Sequence, residues 1–244
     1  MKKKKYCLKT PKIKIYEMLV KRVLDITCSV IAMIVFGWLY FIIAILVRIK
    51  LGSPILFKQA RPGKNEKIFN MYKFRTMTNE VDENGILLPD EVRLTSFGKW
   101  LRNTSLDELP EAFNILRGDM SIIGPRPQLV RDMVFMTNEQ RKRHRVRPGL
   151  SGLAQVNGRN GISWEDKLHY DLEYISDITF TKDFLICIQT IIKAFVKQEG
   201  INEKDMATAE DFGDYLLRTK KVREDKYEEL QQEAKKLMED ALCS

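Results

Sequence analysis

Cysteine and histidine are scarce in this chain, and that scarcity removes several kinds of chemistry at once. Only Cys7, Cys28, Cys187 and Cys243 occur in 244 residues, widely scattered, and His144 and His169 are the only histidines. No zinc-ligand spacing or redox pair is present, so reduced thiols in a cytoplasmic setting are the expectation. Neither histidine can be assigned to a Ser-His-Asp or Cys-His arrangement. The chain also lacks an internal repeat, a G-x-x-x-x-G-K-[ST] loop and a G-x-G-x-x-G fingerprint, so the usual glycine-rich phosphate and dinucleotide cradles are absent.

Acidic charge is scarce in the first 75 residues, where Glu17, Asp25 and Glu66 are the only acids. The net charge is +8 overall. Residues 199–244 carry 13 acids and 8 bases, which leaves +13 on residues 1–198. A basic body seeks anionic partners such as nucleic acid, phospholipid or phosphorylated substrate. The densest basic run is Arg141-Lys-Arg-His-Arg-Val-Arg147. No nucleic-acid-binding motif accompanies it, so nucleic acid is not an expected partner, and anionic lipid headgroups are the nearer choice.

A long uncharged run is present instead. Residues 1–22 hold nine Lys or Arg and one acid, Glu17, and 22 uncharged residues follow from Ile26 to Val47. As a helix this run is about 33 Å long against a hydrocarbon core of roughly 30 Å. It is too long for a signal-peptide core and no small-residue cleavage site follows it. Residues 48–75 are basic as well, with eight Lys or Arg and only Glu66 as an acid. Two basic flanks favour a helix that enters the membrane and turns back, although Gly37-Trp38 is the only breaker near its middle and a single crossing stays open.

Beyond it, the turn residues Gly52-Ser53-Pro54 and Arg61-Pro62-Gly63 bracket Ile55-Leu56-Phe57 and precede Ile68–Met77, which predicts a β-hairpin. Lys73 and Arg75 lie two apart on one strand face, as anion ligands or as a solvated face. Residues 78–96 read as a loop. Between 102 and 127 lie Asp107-Glu108 and Gly124-Pro125-Arg126-Pro127. Leu106, Leu109, Phe113 and Leu116 recur at helical spacing, which predicts a short helix that buries this face and stops near Gly118. Ser105 with Glu108 reads as a capping box, while Pro110 fits a start nearer Asp107. Both acids are then in the first turn, as helix caps or as chemistry, beside an arginine held between two prolines. Two acids and a fixed arginine suit a metal and phosphate site.

Gly149, Gly152, Gly158 and Gly161 mark a polar loop able to approach a ligand closely. Residues 183–198 are amphipathic, as a core or an interfacial helix. Leu230, Ala234, Leu237 and Ala241 stand at heptad spacing in the acidic tail, which allows a homodimer through that helix.

In order, Lys21-Arg22-Val23-Leu24-Asp25, Arg61-Pro62-Gly63, Tyr72-Lys73-Phe74-Arg75-Thr76-Met77, Ser105-Leu106-Asp107-Glu108-Leu109-Pro110, Gly118-Asp119-Met120-Ser121, Gly124-Pro125-Arg126-Pro127 and Arg147-Pro148-Gly149 resemble the bacterial sugar transferase family. The chain looks most like the minimal monotopic phosphoglycosyl transferases, the bacillosamine phosphotransferase-like form, from about Tyr16 to Gly200.

The resemblance implies an α+β class: a mostly helical membrane-associated catalytic domain with a small β-hairpin, an N-terminal re-entrant membrane helix and interfacial amphipathic helices. The division it suggests is a basic segment at 1–22, a membrane-inserted helix at 23–50, a catalytic domain at 51–200 and an acidic helical tail at 201–244. It implies transfer of a phosphosugar from a UDP-sugar to a polyprenol phosphate such as undecaprenyl phosphate, with release of UMP, at the cytoplasmic face of the bacterial inner membrane.

By the same likeness Asp107 is the nucleophile and forms an aspartyl-phosphosugar intermediate. Glu108, with Asp107, holds Mg²⁺. Lys73, Arg75, Arg102, Arg126, Arg147 and Arg159 are candidate phosphate or uridine contacts. Minimal members break the membrane helix with a Ser-Pro pair where this chain has Gly37-Trp38. The rival class is a non-enzymatic membrane-anchored protein that binds anionic lipid or nucleic acid, with the two acids as caps. A transferase that uses Asp107 as a base, without a covalent intermediate, is the third reading.

Overall fold

Helix α1 (Lys21–Lys50), entered through a π-turn at Tyr16–Val20, carries the whole uncharged run and passes through Gly37 without interruption, so the turn back expected of a re-entrant helix at Gly37-Trp38 does not form. The computed structural model describes residues 15–158, 161–195 and 210–242. One stripe of α1 faces the rest of the protein, with Asp25, Ser29, Ile43 and Val47 buried. The other faces leave Ile31, Ile34, Val35, Trp38 and Phe41 exposed, Ile34 at 76%. So much uncovered apolar surface marks a lipid or protein contact. The body grips both ends of this helix. Near its start Arg22 donates to the Ile115 and Leu116 carbonyls at 2.6 and 2.8 Å, while Asp25 accepts from Ser121 Oγ and the Ile122 amide. Near its end Ile43, Val47 and Leu51 pack with Phe74 and Leu101.

The hairpin forms as the turn residues require. Strands β1 (Leu56–Pro62) and β2 (Ile68–Phe74) pair antiparallel from Leu56↔Phe74 to Pro62↔Ile68. Strand β1 extends through Arg61-Pro62, beyond the expected turn. Proline at the strand end costs no ladder bond, because it has no N–H to pair. Residues 78–96, read as a loop, hold the short helix α2 (Asp90–Arg93) and the bridges Met77↔Leu94 and Val81↔Leu87.

Helix α3 (Ser96–Asn103) starts at Thr95, whose hydroxyl accepts from the Gly98 amide. Gly98 is required there, since an added Cβ would sit 1.8 Å from the Thr76 carbonyl oxygen. After a 3-10 turn at Leu106–Glu108 comes α4 (Glu111–Arg117), which stops at Gly118 in the left-handed conformation, φ +94°. The stop falls where glycine predicts it.

A second sheet escaped the sequence. Strand β3 (Ser121–Ile123) precedes α5 (Val130–Met133) and α6 (Asn138–Arg141), and then pairs in parallel with β4 (Gly149–Ser151). Three residues are too few to display a period. This pairing presses the Gly-Pro-Arg-Pro and Arg-Pro-Gly segments together, so closely that a Cβ on Gly149 would lie 2.1 Å from the Gly124 nitrogen.

Helices α7 (Leu153–Val156), α8 (Trp164–Ser176) and α9 (Phe180–Phe195) complete this part. Helix α9 buries Asp183 and Ile186 and leaves Phe180, Phe184, Leu185, Ile188, Ile191 and Ile192 exposed, so it has both a core face and an uncovered apolar face.

Three arginines of the basic run at 141–147 turn inward, while Arg145 stays exposed. Arg141 pairs with Glu66 at 2.5 and 2.7 Å, Arg143 with the buried Asp171 at 2.6 and 2.9 Å, and Arg147 donates to the Gly118 carbonyl. Burial and the neighbouring Arg143 push His144 down to about 4, so it is neutral. In the C-terminal part, α10 (Phe212–Arg218) and α11 (Glu224–Leu242) fold back on the body. Leu230, Ala234 and Leu237, three of the heptad positions, pack with Val130, Met133 and Phe212. The stripe that a two-chain coiled coil would need is thus occupied by the chain itself.

Candidate active site

Asp107 and Glu108 sit in a 3-10 turn, not in a helix. Ser105 is left-handed at φ 56° and its side chain caps nothing, so the expected capping box does not form. Pro110 is the N-cap of α4, and the helix proper begins at Glu111. Proline at that boundary sacrifices no helical hydrogen bond. The expected buried face of Leu106, Leu109, Phe113 and Leu116 is also rotated. The fully buried residues of α4 are Glu111, Asn114 and Ile115, and Phe113 is 41% exposed.

The rotation follows from Asn114, which is 0% exposed. Its Oδ1 accepts from the Tyr72 amide at 3.0 Å and its Nδ2 donates to the Asn70 carbonyl at 2.7 Å. Side chain and strand backbone satisfy each other's polar groups, as burial demands. This link fixes α4 on β2 and brings Lys73 to the acids. Lys73 Nζ donates to Glu108 Oε1 at 2.7 Å and stands 3.3 Å from Glu111 Oε1. Arg126 Nη2 donates to the same Glu108 oxygen at 2.9 Å.

These contacts separate the three carboxylates chemically. Burial pushes Glu108 up, but Lys73 and Arg126 outweigh it and hold the group well below the usual carboxylate range. Asp107 is 7% exposed, and among the described residues its carboxylate accepts no hydrogen bond. Burial, with Glu108 adding, pushes it up to about 6 against the pull of Lys73, Arg102 and Arg126. The Asp107 side chain is therefore not consumed as a helix cap. Glu111, 2% exposed with Oε1 lacking a hydrogen bond, is pushed up to about 7 by burial and Glu108.

The other expected contacts divide. Arg102 lies near Asp107, its Nε donating to Thr76 Oγ1 at 3.0 Å, and burial lowers it while Asp107 raises it. Arg75 goes elsewhere: its guanidinium is buried on the Met77 and Ser53 carbonyls at 2.7 and 2.6 Å. It braces the approach to the hairpin and is not beside Lys73's acids. Arg147 sits at the far end of α4 with Arg22, on the Gly118 carbonyl. Arg159 lies outside the described residues. Arg126 is held from behind, because Arg143, anchored on Asp171, donates to the Arg126 carbonyl at 2.6 Å.

Among the described residues no three His, Cys, Asp or Glu side chains gather as a ready-made metal cage. Mg²⁺ needs less, one or two carboxylates completed by water and substrate phosphates. Asp107 without a hydrogen bond and the second oxygen of Glu108 are hard donors that fit it. An apolar groove of about 680 Å³ reaches Pro110, the residue between Glu108 and Glu111 that caps α4, and is lined also by Tyr40, Phe41, Phe74 and Phe113 with Arg48 as its charged residue.

Residues 16–197 match the bacterial sugar transferase family model. The chain belongs to that family. "Uncharacterized sugar transferase EpsL" of Bacillus subtilis is 46% identical over 195 residues, which is 80% of this chain and 96% of that protein. The UDP-glucose:undecaprenyl-phosphate glucose-1-phosphate transferase of Klebsiella pneumoniae is 36% identical over 75% of this chain, but over 42% of its own length. The UDP-N-acetylgalactosamine-undecaprenyl-phosphate N-acetylgalactosaminephosphotransferase of Aeromonas hydrophila is 37% identical over 70% of this chain and 43% of its own length. The chain thus spans less than half of these two relatives.

Within this sugar transferase fold, Glu111, Asn114, Arg143 and Asp171 were missed by sequence reasoning. Glu111 follows Glu108 by three residues, a helical spacing that places both on one side of a turn. For Arg143 and Asp171, 28 residues apart, no sequence signal exists.

Proposed function

We propose that the protein moves a phosphosugar from a UDP-sugar to a polyprenol phosphate through a covalent Asp107 intermediate. The observation that carries this reading is Asp107 itself: a buried carboxylate with no hydrogen bond among the described residues, faced by Lys73, Arg102 and Arg126. An unengaged, desolvated carboxylate is a competent nucleophile, and preset cations offset the charge that builds up as it meets a diphosphate.

The Asp107 oxygen attacks the sugar-proximal phosphorus. The bond from that phosphorus to the bridging oxygen breaks, and its electron pair leaves on the phosphate of UMP. A phosphate oxygen of the polyprenol phosphate then attacks the same phosphorus, and the phosphorus–Asp107 bond breaks to restore the carboxylate. Neither displacement needs a proton supplied to Asp107. Arg126 and Lys73 hold Glu108 ionised and face the phosphates. Mg²⁺, held by Glu108 and Asp107, supplies Lewis-acid neutralisation of the diphosphate.

The groove that ends on Pro110 suits the prenyl chain of the acceptor, because it is apolar and Pro110 lies between Glu108 and Glu111 in the chain. The uncovered apolar faces of α1 and α9 support attachment to a bilayer. Asp25 and Val47 are about 33 Å apart along α1, the thickness of a hydrocarbon core, and the same body touches both. That favours both ends on one membrane face, the cytoplasmic one by their basic flanks, over a crossing.

UMP release from a panel of UDP-sugars, with Mg²⁺ and undecaprenyl phosphate, tests the reading. One donor is expected to give UMP, with a phosphosugar adduct on the protein when the acceptor is left out. Asp107→Asn and Glu108→Gln should abolish both. UMP release by Asp107→Asn at the parent rate refutes the covalent route, and a parent enzyme that turns over without any trappable adduct favours Asp107 as a base.

A further inference from the structure

The family match ends at residue 197, so α10 and α11 lie outside it, yet they pack on the segment that follows the Gly-Pro-Arg-Pro loop. Val130 and Met133 of α5 are buried with Phe212 and Ala234. Asp132 joins the two parts: its Oδ1 accepts from the Phe212 amide at 2.8 Å, and its Oδ2 accepts from the Leu129 amide at 3.1 Å. Arg131 forms an ion pair with Asp211. On the other side Arg61 donates to the Pro127 carbonyl at 3.2 Å. Gly213 lies against Phe135 so closely that a Cβ would stand 2.6 Å from its ring.

Two residues, Pro127 and Gln128, separate Leu129 from Arg126, whose guanidinium meets Glu108. Pro127 stiffens what lies between and Pro125 restricts the backbone on the other side of Arg126, so a displacement at Leu129 is passed along the backbone and not absorbed. We propose that α10 and α11 clamp the Arg126 loop, with Asp132 as the positioning residue that transmits their hold to the phosphate-facing arginine. The functional part of this inference rests on the transferase reading above. A misplacement of about 1 Å in a charged contact is enough to cost a large factor in rate, and the two carboxylate oxygens of Asp132 tie Leu129 to the first residue of α10.

The test uses the full chain in detergent with Asp132→Ala and the milder Asp211→Asn. Hydrogen–deuterium exchange should rise in residues 124–130 in both variants, and unchanged exchange there overturns the clamp whether or not the protein is a transferase. In UMP release, Asp132→Ala should raise KM for the UDP-sugar roughly tenfold, with a smaller effect on kcat. In an Arg126→Gln background the same substitution should change KM no further, because its effect runs through Arg126. An equal KM increase in both backgrounds, or a lowered melting temperature with KM unchanged, shows a purely structural contact and overturns the proposal. Absence of UMP from the parent protein counts against the transferase reading, and the exchange experiment then decides the clamp alone.

Discussion

Replacing the proposed nucleophile should make the protein more stable. Asp107 carries a carboxyl raised from 3.8 to about 6, chiefly by burial. The folded state therefore binds its proton more tightly than the unfolded state does. Between pH 3.8 and 6 the folded state holds more protons, so stability falls as pH rises, and the whole cost is present above about pH 6. At about 1.4 kcal/mol per pH unit the cost is on the order of 3 kcal/mol. Asparagine has nearly the same shape and cannot ionise. Asp107→Asn should raise the apparent unfolding midpoint at pH 8 by about 6 to 12 °C for a domain of this size, and leave it nearly unchanged near pH 4. Thermal unfolding followed by intrinsic fluorescence in detergent at the two pH values measures this. An equal or lower midpoint for the variant at pH 8 would refute the premise that Asp107 is held as a desolvated, unsupported charge. The protonated carboxyl cannot attack, so UMP release should decline as pH falls through the Asp107 titration, which bound Mg²⁺ would shift below about 6.

Lys73→Met should lower kcat by roughly 10² to 10³, the usual cost of one preset charge donor, with the fold retained by circular dichroism; a loss under fivefold would remove Lys73 from the phosphate-facing set. Asn114→Leu strands the Tyr72 amide and the Asn70 carbonyl, which should cost about 2 to 4 kcal/mol in chemical unfolding, and a neutral outcome would mean that α4 is not held on β2 this way. Arg143→Met leaves Asp171 buried and unpaired, at an expected cost of about 3 to 5 kcal/mol, and should also release the Arg126 carbonyl. A variant as stable as the parent would show that water reaches Asp171. Gly149→Ala, with its Cβ 2.1 Å from the Gly124 nitrogen, should fail to give monodisperse protein, and normal yield with normal activity would contradict the β3–β4 pairing.

The sequence by itself determined the features whose causes are local. Twenty-two uncharged residues between basic flanks can only be a long apolar helix. Turn residues around alternating strands made the hairpin, and Gly118 stopped α4. The ordered motifs were enough to place the chain among the bacterial sugar transferases, and Asp107, Glu108, Lys73, Arg102 and Arg126 were singled out before any distance was known.

What only the tertiary structure decided depends on partners distant in sequence. Lys73 and Arg75 are spaced to share a strand face, yet β2 ends at Phe74, and one meets Glu108 while the other is buried on two backbone carbonyls. The 141–147 run looks like a surface patch until Glu66, Asp171 and Gly118 are seen to accept its charges. Helical spacing named the wrong face of α4, because Asn114 on the Tyr72 backbone outweighs the burial of Phe113. The heptad of α11 fits a partner helix and the surface of α5 equally well, since periodicity says which side of a helix is buried and not what covers it. A short local pattern sets the shape of its own segment. The destination of a charge or an apolar stripe is set by whatever the rest of the chain brings within a few ångströms of it.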